Sequence, residues 1–139
     1  PGELRVTGFL DTCRQAGVEP IVVTTDESQF AARDYRGTIR AALRAHPEID
    51  GVFATSDVMA AQVIQECAKV GRSIPQDVSL VGFDDVDIAS LTCPPLTTIH
   101  QPLEQMCEYA VDGILRKLRG ETVPVKTILP VSRVDRESV

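Results

Sequence analysis

Short apolar runs alternate with longer segments along this chain, and the alternation limits its possible folds more than any other feature. In the longer segments apolar residues recur every three or four positions, which predicts helices, whereas the short β-branched runs predict strands. The predicted helices are 3–15, 34–45, 57–70 and 103–118, and the predicted strands are 21–25, 51–55, 78–83, 96–100 and 126–134. Apolar strands that alternate with helices are typical of an α/β fold with a mostly parallel sheet.

Glycine and proline residues mark where the predicted helices end. Gly17, Gly71 and Gly120 follow three of them, and glycine readily takes the left-handed conformation that closes a helix. Pro47 follows the helix at 34–45, because proline cannot continue the hydrogen-bond ladder. These stops define the helix ends in the sequence.

Composition and charge exclude several classes of protein. The 139 residues suffice for one domain, and 43% apolar with 24% charged residues is typical of a globular protein. No apolar run approaches the roughly 20 residues of a membrane helix. The net charge of −6 argues against this segment binding nucleic acid, so any DNA contact would come from another part of the protein. Residues 1–11 do not resemble a signal peptide, although one could precede them.

The four cysteines predict a reducing environment. Cys13, Cys67, Cys93 and Cys107 are widely separated, with no CxxC pair and no metal-ligand spacing. We expect four buried, reduced thiols, no metal and no cofactor. This pattern favours the cytoplasm.

Two predicted strands end in polar residues. Thr55, Ser56 and Asp57 follow one strand, and Asp84 and Asp85 follow another. Parallel strands end on one side of a sheet, where ligands bind, so both groups should lie on one rim and suit hydroxyl or amine donors. The alternative for Ser56 and Asp57 is that they only cap the following helix. An acid–base or metal role for the two adjacent aspartates is disfavoured, because neighbouring side chains on a strand point apart.

The sequence contains no recognisable catalytic arrangement. It has no GxSxG, no phosphate-binding glycine loop and no HExxH. His46 lies beside Pro47 and is expected at the surface, and His100 is expected to have a structural role. We therefore expect that the chain is not an enzyme.

Three motifs in order carry a family resemblance. Residues 51–60, 74–85 and 94–102 resemble the lactose, galactose and purine repressor family of bacterial transcription regulators in both spacing and order. The segments 129–131 and 136–138 look like the closing segment of that family. The resemblance covers nearly the whole chain.

The resemblance implies a periplasmic-binding-protein-like fold of two doubly wound lobes. Residues 1–95 and about 126–139 would belong to the second lobe, and the helix at about 100–120 would pack on the first lobe. The DNA-binding helix-turn-helix and most of the first lobe would be absent from this chain. So would a strand that should precede Glu3 and pair centrally in the second lobe.

The resemblance also assigns effector-binding residues. Arg5 matches the arginine that reaches into the cleft, and Asp84 matches the first aspartate of a motif that contacts the ligand. Ser56 matches a position where asparagine is usual. Phe30 is the candidate for an aromatic residue that stacks on the ligand.

The expected function is that of an effector-sensing region of a transcription regulator, with a sugar or similar metabolite as its small-molecule effector. Operator DNA would be bound only through the missing N-terminal domain. A homodimer is expected, formed by the exposed side of the helix at 57–70 and the loop at 86–91, and no membrane partner is expected. The alternatives are a periplasmic sugar-binding protein of a transport system and, on fold analogy alone, an enzyme.

Overall fold

The computed structural model describes residues 2–139, and of residues 27–29 the backbone alone. The four predicted helices are confirmed to within two residues, and two short helices, α2 and α5, were not predicted. The helices are α1 (Gly2–Ala16), α2 (Glu27–Ala32), α3 (Arg36–Ala45), α4 (Asp57–Lys69), α5 (Ile88–Leu91) and α6 (Leu103–Leu118). The strands are β1 (Gly51–Phe53), β2 (Ser79–Val81), β3 (Thr98–His100) and β4 (Ser132–Val134).

The described strands form two two-stranded sheets, which isolated parallel bridges join. β1 and β2 are parallel, with Val52 opposite Leu80, and α4 is the crossover between them. A parallel bridge between Val81 and Thr97 joins β2 to the segment that leads into β3. β4 returns antiparallel to β3. This confirms the predicted α/β class, with shorter strands than the apolar runs predicted.

The core lies between the sheet and the helices α3 and α4. Helical spacing places the apolar residues of each helix on the face that contacts its neighbour. Burial of each large aliphatic side chain contributes about 1.5–3 kcal/mol to stability. The buried cluster consists of Tyr35, Ile39, Leu43, Ala54, Ala60, Val63, Cys67, Val78, Leu80, Ala89 and Leu96.

A buried carboxyl group joins α3 to α4. Glu66 is fully buried, and its carboxyl oxygens accept hydrogen bonds from Arg40 Nε at 2.6 Å and from Lys69 Nζ at 2.7 Å. These two bonds lower the pKa of Glu66 to about 2, although burial alone would raise it. Because Arg40 belongs to α3, the pair links the two helices.

The prediction of a strand at 21–25 was wrong. These residues belong to no strand, and Ile21, Val22 and Val23 are exposed to solvent. A β-branched run becomes a strand only where a neighbouring strand supplies hydrogen bonds. Among the described residues β1 pairs with β2 alone, so its other edge has no such partner.

The apolar face of the last helix is exposed in this chain. α6 has the predicted apolar stripe, but none of its residues is buried, and Ile114 and Leu118 are largely exposed. The expectation of four buried thiols was wrong for two of them, since Cys93 and Cys107 are exposed, whereas Cys13 and Cys67 are buried. A regular apolar stripe establishes that a helix has a packing face, but it does not establish that the partner belongs to the same segment.

No helix of the described residues is both long and apolar enough to cross a membrane.

We predict that Glu66→Gln flattens the acid limb of the stability profile. Folding lowers the pKa of Glu66 from 4.5 to about 2, so its contribution is present above pH 4.5 and is lost as pH falls through about 2. Free energies of unfolding from urea titrations, measured between about pH 2 and about pH 6, should depend less on pH in the variant. Glu108→Gln, which removes an exposed carboxyl group, is the control. Equal pH dependence in wild type and Glu66→Gln would contradict the prediction.

Candidate functional site

The polar ends of β1 and β2 lie side by side on one rim, as the sequence predicted. The Ala54 N–H donates to Val81 O at 2.9 Å, and the Asp57 N–H donates to Phe83 O at 2.9 Å. These bonds bring the chain after each strand together. Arg5, in the first turn of α1, reaches the same rim and donates from Nη1 to Thr55 O at 2.6 Å.

Arg5 and Asp84 form an ion pair at this rim. Arg5 Nη2 lies 3.2 Å from Asp84 Oδ1, and the two side chains are 19% and 26% exposed. The guanidinium group also lies over the ring of Phe83, 3.9 Å from its centroid, which is a cation–π contact. Gln101 Nε2 donates to the same Asp84 oxygen at 2.7 Å. The site thus combines a fixed fork of donors with a partly buried acceptor.

The carboxyl group of Asp84 is incompletely stabilised by these partners. Burial raises its pKa above the usual value, the charge of Asp57 adds to this, and Arg5 and Gln101 oppose it without cancelling it. A carboxylate whose lost hydration is not fully replaced gains from further donors. A ligand hydroxyl group would supply one.

Asp85 has a different environment, although it is the next residue. It accepts a hydrogen bond from Arg136 Nη2 at 2.8 Å, and its other oxygen pairs with His100 Nδ1 at 2.9 Å. Burial raises the pKa of Asp85, but the bonds from Arg136 and His100 outweigh burial and leave it lowered. Asp84 and Asp85 thus have separate partners, which agrees with the expectation that they do not act as a paired-carboxylate site.

Ser56 has the role that the helix-cap alternative gave it. Its Oγ accepts from the Met59 N–H at 3.2 Å, and it is the N-cap of α4. An additional contact of Ser56 with an effector stays a prediction.

Asp57 is the first residue of α4 and is fully buried. It accepts from Thr98 Oγ1 at 2.5 Å and from the Val86 N–H at 2.9 Å. Gly82 lies against this carboxyl group, since a Cβ there would collide with Asp57 Oδ1 and lie 2.8 Å from Leu96 Cδ2. The close approach explains why β2 is followed by glycine.

Phe30 lies in α2, and its side chain is 70% exposed. Its backbone hydrogen bonds are local, with Asp26 and Arg33. A stacking role for Phe30 stays a prediction.

Sequence reasoning missed several contributors to the rim. Phe83 and Gln101 both contact the Arg5–Asp84 pair directly, and Thr98 holds Asp57. All three lie within the runs 74–85 and 94–102 that carried the resemblance. Their position there was a signal, but residue type alone does not distinguish a ligand-facing side chain from a packing one.

An apolar cavity along β1 is separate from this ion pair. It has a volume of about 290 Å³ and lies between α1, α3, the open edge of β1 and the unpaired residues 18–25, with Phe9, Val23, Ile39 and Val52 in its lining. Its mostly apolar lining offers little to a polar ligand. The cavity instead runs along the edge where β1 lacks a partner among the described residues.

Comparison with known proteins identifies relatives of this chain. Residues 1–139 match the family described as the periplasmic binding protein-like domain. The ribose operon repressor of Halalkalibacterium halodurans is 33% identical over 141 residues, which cover 99% of this chain and 41% of that protein. The chain therefore spans less than half of the relative's length.

Solved structures of similar fold include two regulators. The complex of the transcriptional regulator CelR with cellobiose has a TM-score of 0.84 at 31% identity, covering 97% of this chain and 42% of the other. The Lac repressor dimer bound to operator and the anti-inducer ONPF also has a TM-score of 0.84, at 26% identity, covering 98% and 47%.

We predict that Gly82→Ala lowers the free energy of unfolding by about 1–3 kcal/mol, because a methyl group would be forced against Asp57 and Leu96. Urea titration would measure the change. Gly113→Ala is the matched control, since a Cβ at Gly113 in α6 meets nothing within 4 Å and should stabilise the helix by about 0.5–1 kcal/mol. Similar stability of the wild type and Gly82→Ala would contradict the prediction.

Proposed function

The chain belongs to the periplasmic binding protein-like family, among the repressors related to the lactose and ribose repressors, and on that premise we propose that it senses a small effector for a DNA-binding transcription regulator. The observation that carries the proposal is the Arg5–Asp84 pair at the carboxyl end of the sheet. Ligands of parallel α/β sheets bind at this end.

The effector we propose is a sugar or a similar polyhydroxylated metabolite. Arg5 supplies only donors and Asp84 supplies only acceptors, so the pair suits a ligand whose hydroxyl groups can do both. The ring of Phe83 lies beneath the guanidinium group and limits its movement. The cellobiose complex of CelR supports a sugar as the effector class.

The relatives argue against the alternative functions. They are repressors and transcriptional regulators, whereas the periplasmic alternative predicts transport proteins and the enzyme alternative predicts catalysts. The regulator function implies a cytoplasmic protein that contacts operator DNA through a separate N-terminal domain. The net charge of −6 is consistent with a segment that leaves DNA binding to another domain.

Two apolar surfaces of the chain fit the domain division predicted from the sequence. We propose that a strand preceding residue 2 fills the cavity along β1 and pairs with residues 21–25 on its other side. We further propose that the exposed stripe of α6 packs on the first lobe. In this arrangement residues 1–95 and about 126–139 form the second lobe.

We predict that Arg5→Ala and Asp84→Asn each weaken effector binding about tenfold to over a hundredfold. A charge-assisted hydrogen bond contributes about 1.5–3 kcal/mol, which corresponds to that range. The measurement is calorimetric titration of the complete protein with cellobiose and with D-ribose. Binding should also weaken as pH falls through the raised pKa of Asp84, since the protonated group accepts less well.

Arg14→Ala is the control for the arginine, because Arg14 lies on the same helix and pairs with Asp11 at the surface. Melting temperatures without ligand establish that each variant folds. Unchanged affinity in well-folded Arg5→Ala and Asp84→Asn would show that these are not the effector residues.

We also propose that the complete protein is a homodimer that uses the exposed side of α4 and the segment 86–91. The segment contains α5, which the sequence analysis treated as a loop, and Leu91 at its end is 79% exposed. Ala89 in this segment is fully buried and fixes it to the core, so the exposed apolar side chain beside it indicates a surface that binds a partner. The Lac repressor dimer supports this assembly.

We expect Leu91→Glu to shift the complete protein from dimer to monomer in sedimentation experiments at tens of micromolar, because a charge would be buried at the interface. Leu4→Glu is the matched control, since Leu4 is equally exposed on α1. A monomeric wild type, or a Leu91→Glu variant as dimeric as wild type, would contradict the proposal.

A further inference from the structure

The buried Asp57 begins α4, and it also makes two hydrogen bonds to the chain that follows β2. Its backbone N–H donates to Phe83 O, and its Oδ2 accepts from the Val86 N–H, both at 2.9 Å. Phe83 and Val86 flank the dipeptide of Asp84 and Asp85. A single residue therefore holds the chain immediately before and immediately after that dipeptide.

The dipeptide needs such a constraint. The backbone φ angles of Asp84 and Asp85 are +118° and +58°, in a region that residues with a side chain rarely adopt. Conformations of this kind are strained and persist only where the surroundings determine them. If Phe83 and Val86 were released, the dipeptide could relax to negative φ, and the carboxyl group of Asp84 would turn away from Arg5.

We infer that Asp57 is a positioning residue of the effector site, which holds the Asp84–Asp85 turn so that the Asp84 carboxyl group faces Arg5. The inference rests on the proposed function, in that Arg5 and Asp84 are taken to bind the effector. Asp57 itself is fully buried and does not contact the ligand. Its effect on binding passes through the backbone of residues 83–86.

Both oxygens of the Asp57 carboxyl group are needed for this role. Oδ1 accepts from Thr98 Oγ1 at 2.5 Å, and Oδ2 accepts from the Val86 N–H. An asparagine has one oxygen and one NH₂ group. With the NH₂ group toward Val86, the backbone N–H faces a donor; with it toward Thr98, the hydroxyl group must accept instead of donate, and its own proton loses its present acceptor. Asp57→Asn therefore conserves volume but removes the charge and leaves one of these two buried donors without its present acceptor. Thr98→Val removes the other donor at nearly constant shape, whereas Thr98→Ser keeps the hydroxyl group.

The first experiment is calorimetric titration of the complete protein with cellobiose and with D-ribose. Asp57→Asn and Thr98→Val should each bind at least tenfold more weakly than wild type to whichever of the two sugars the wild type binds. Thr98→Ser should keep most of the wild-type affinity. Glu108→Gln, an acid-to-amide change at the exposed surface, should bind like wild type. Wild-type affinity in folded Asp57→Asn, or equal losses in Thr98→Ser and Thr98→Val, would overturn the inference.

The second experiment needs no ligand. The thermodynamic coupling between Arg5 and Asp84 is measured from the unfolding of Arg5→Ala, Asp84→Asn and the double variant, once in wild type and once with Asp57→Asn. Positioning by Asp57 predicts that the coupling is lost in the Asp57→Asn background, whereas a role in stability alone leaves it intact. If Asp57→Asn does not fold, Thr98→Val replaces it in both experiments.

The two experiments separate this inference from the proposed function. A wild-type protein that binds neither sugar contradicts the proposed effector class, and the coupling measurement then decides the role of Asp57. An intact Arg5–Asp84 coupling in the Asp57→Asn background overturns the inference even where sugar binding is found.

Discussion

Asp84 and Asp85 adopt positive φ angles at the point where the chain leaves β2, and the candidate site depends on how this turn is held. From one side, α4 holds it through the buried Asp57. From the other side, the C-terminal segment holds it through Arg136, which donates to Asp85 and also to Leu96 O. Residues far apart in sequence thus meet at two adjacent aspartates. A local change in any of these supports changes the direction of a side chain at the rim.

The two adjacent acids divide their roles through their surroundings. Asp85 has two cationic or potentially cationic partners, Arg136 and His100, and its pKa is lowered. Asp84 has Arg5 and Gln101, yet burial still raises its pKa. Both oxygens of Asp85 therefore have partners within the protein, and Asp85 stabilises the fold. Asp84 retains capacity to accept a further hydrogen bond. In the proposed effector site, the acceptor for the ligand is thus the carboxyl group that the protein stabilises less.

The sequence predicted those features that depend on local chemistry. Periodicity and the stops at Pro47 and Gly71 gave the ends of α3 and α4, since these rules act within a few residues. The resemblance gave Arg5 and Asp84, and the structure brings them together. Local sequence could not show that residues 21–25 form no strand, because a strand forms only beside a partner strand, which these residues do not contain.

Gln101 links the rim to the start of α6. Gln101 donates to Asp84, and its carbonyl oxygen accepts from the N–H of Leu103, the first residue of α6. A ligand that competes for the Asp84 oxygen therefore acts on the residue that sets the start of this helix. A ligand shifts a conformational equilibrium only as far as its affinities for the two states differ. With α6 packed on the first lobe as proposed, a change in the hydrogen bond between the Gln101 side chain and Asp84 would supply such a difference. Effector binding and lobe orientation would then be coupled by the same few hydrogen bonds.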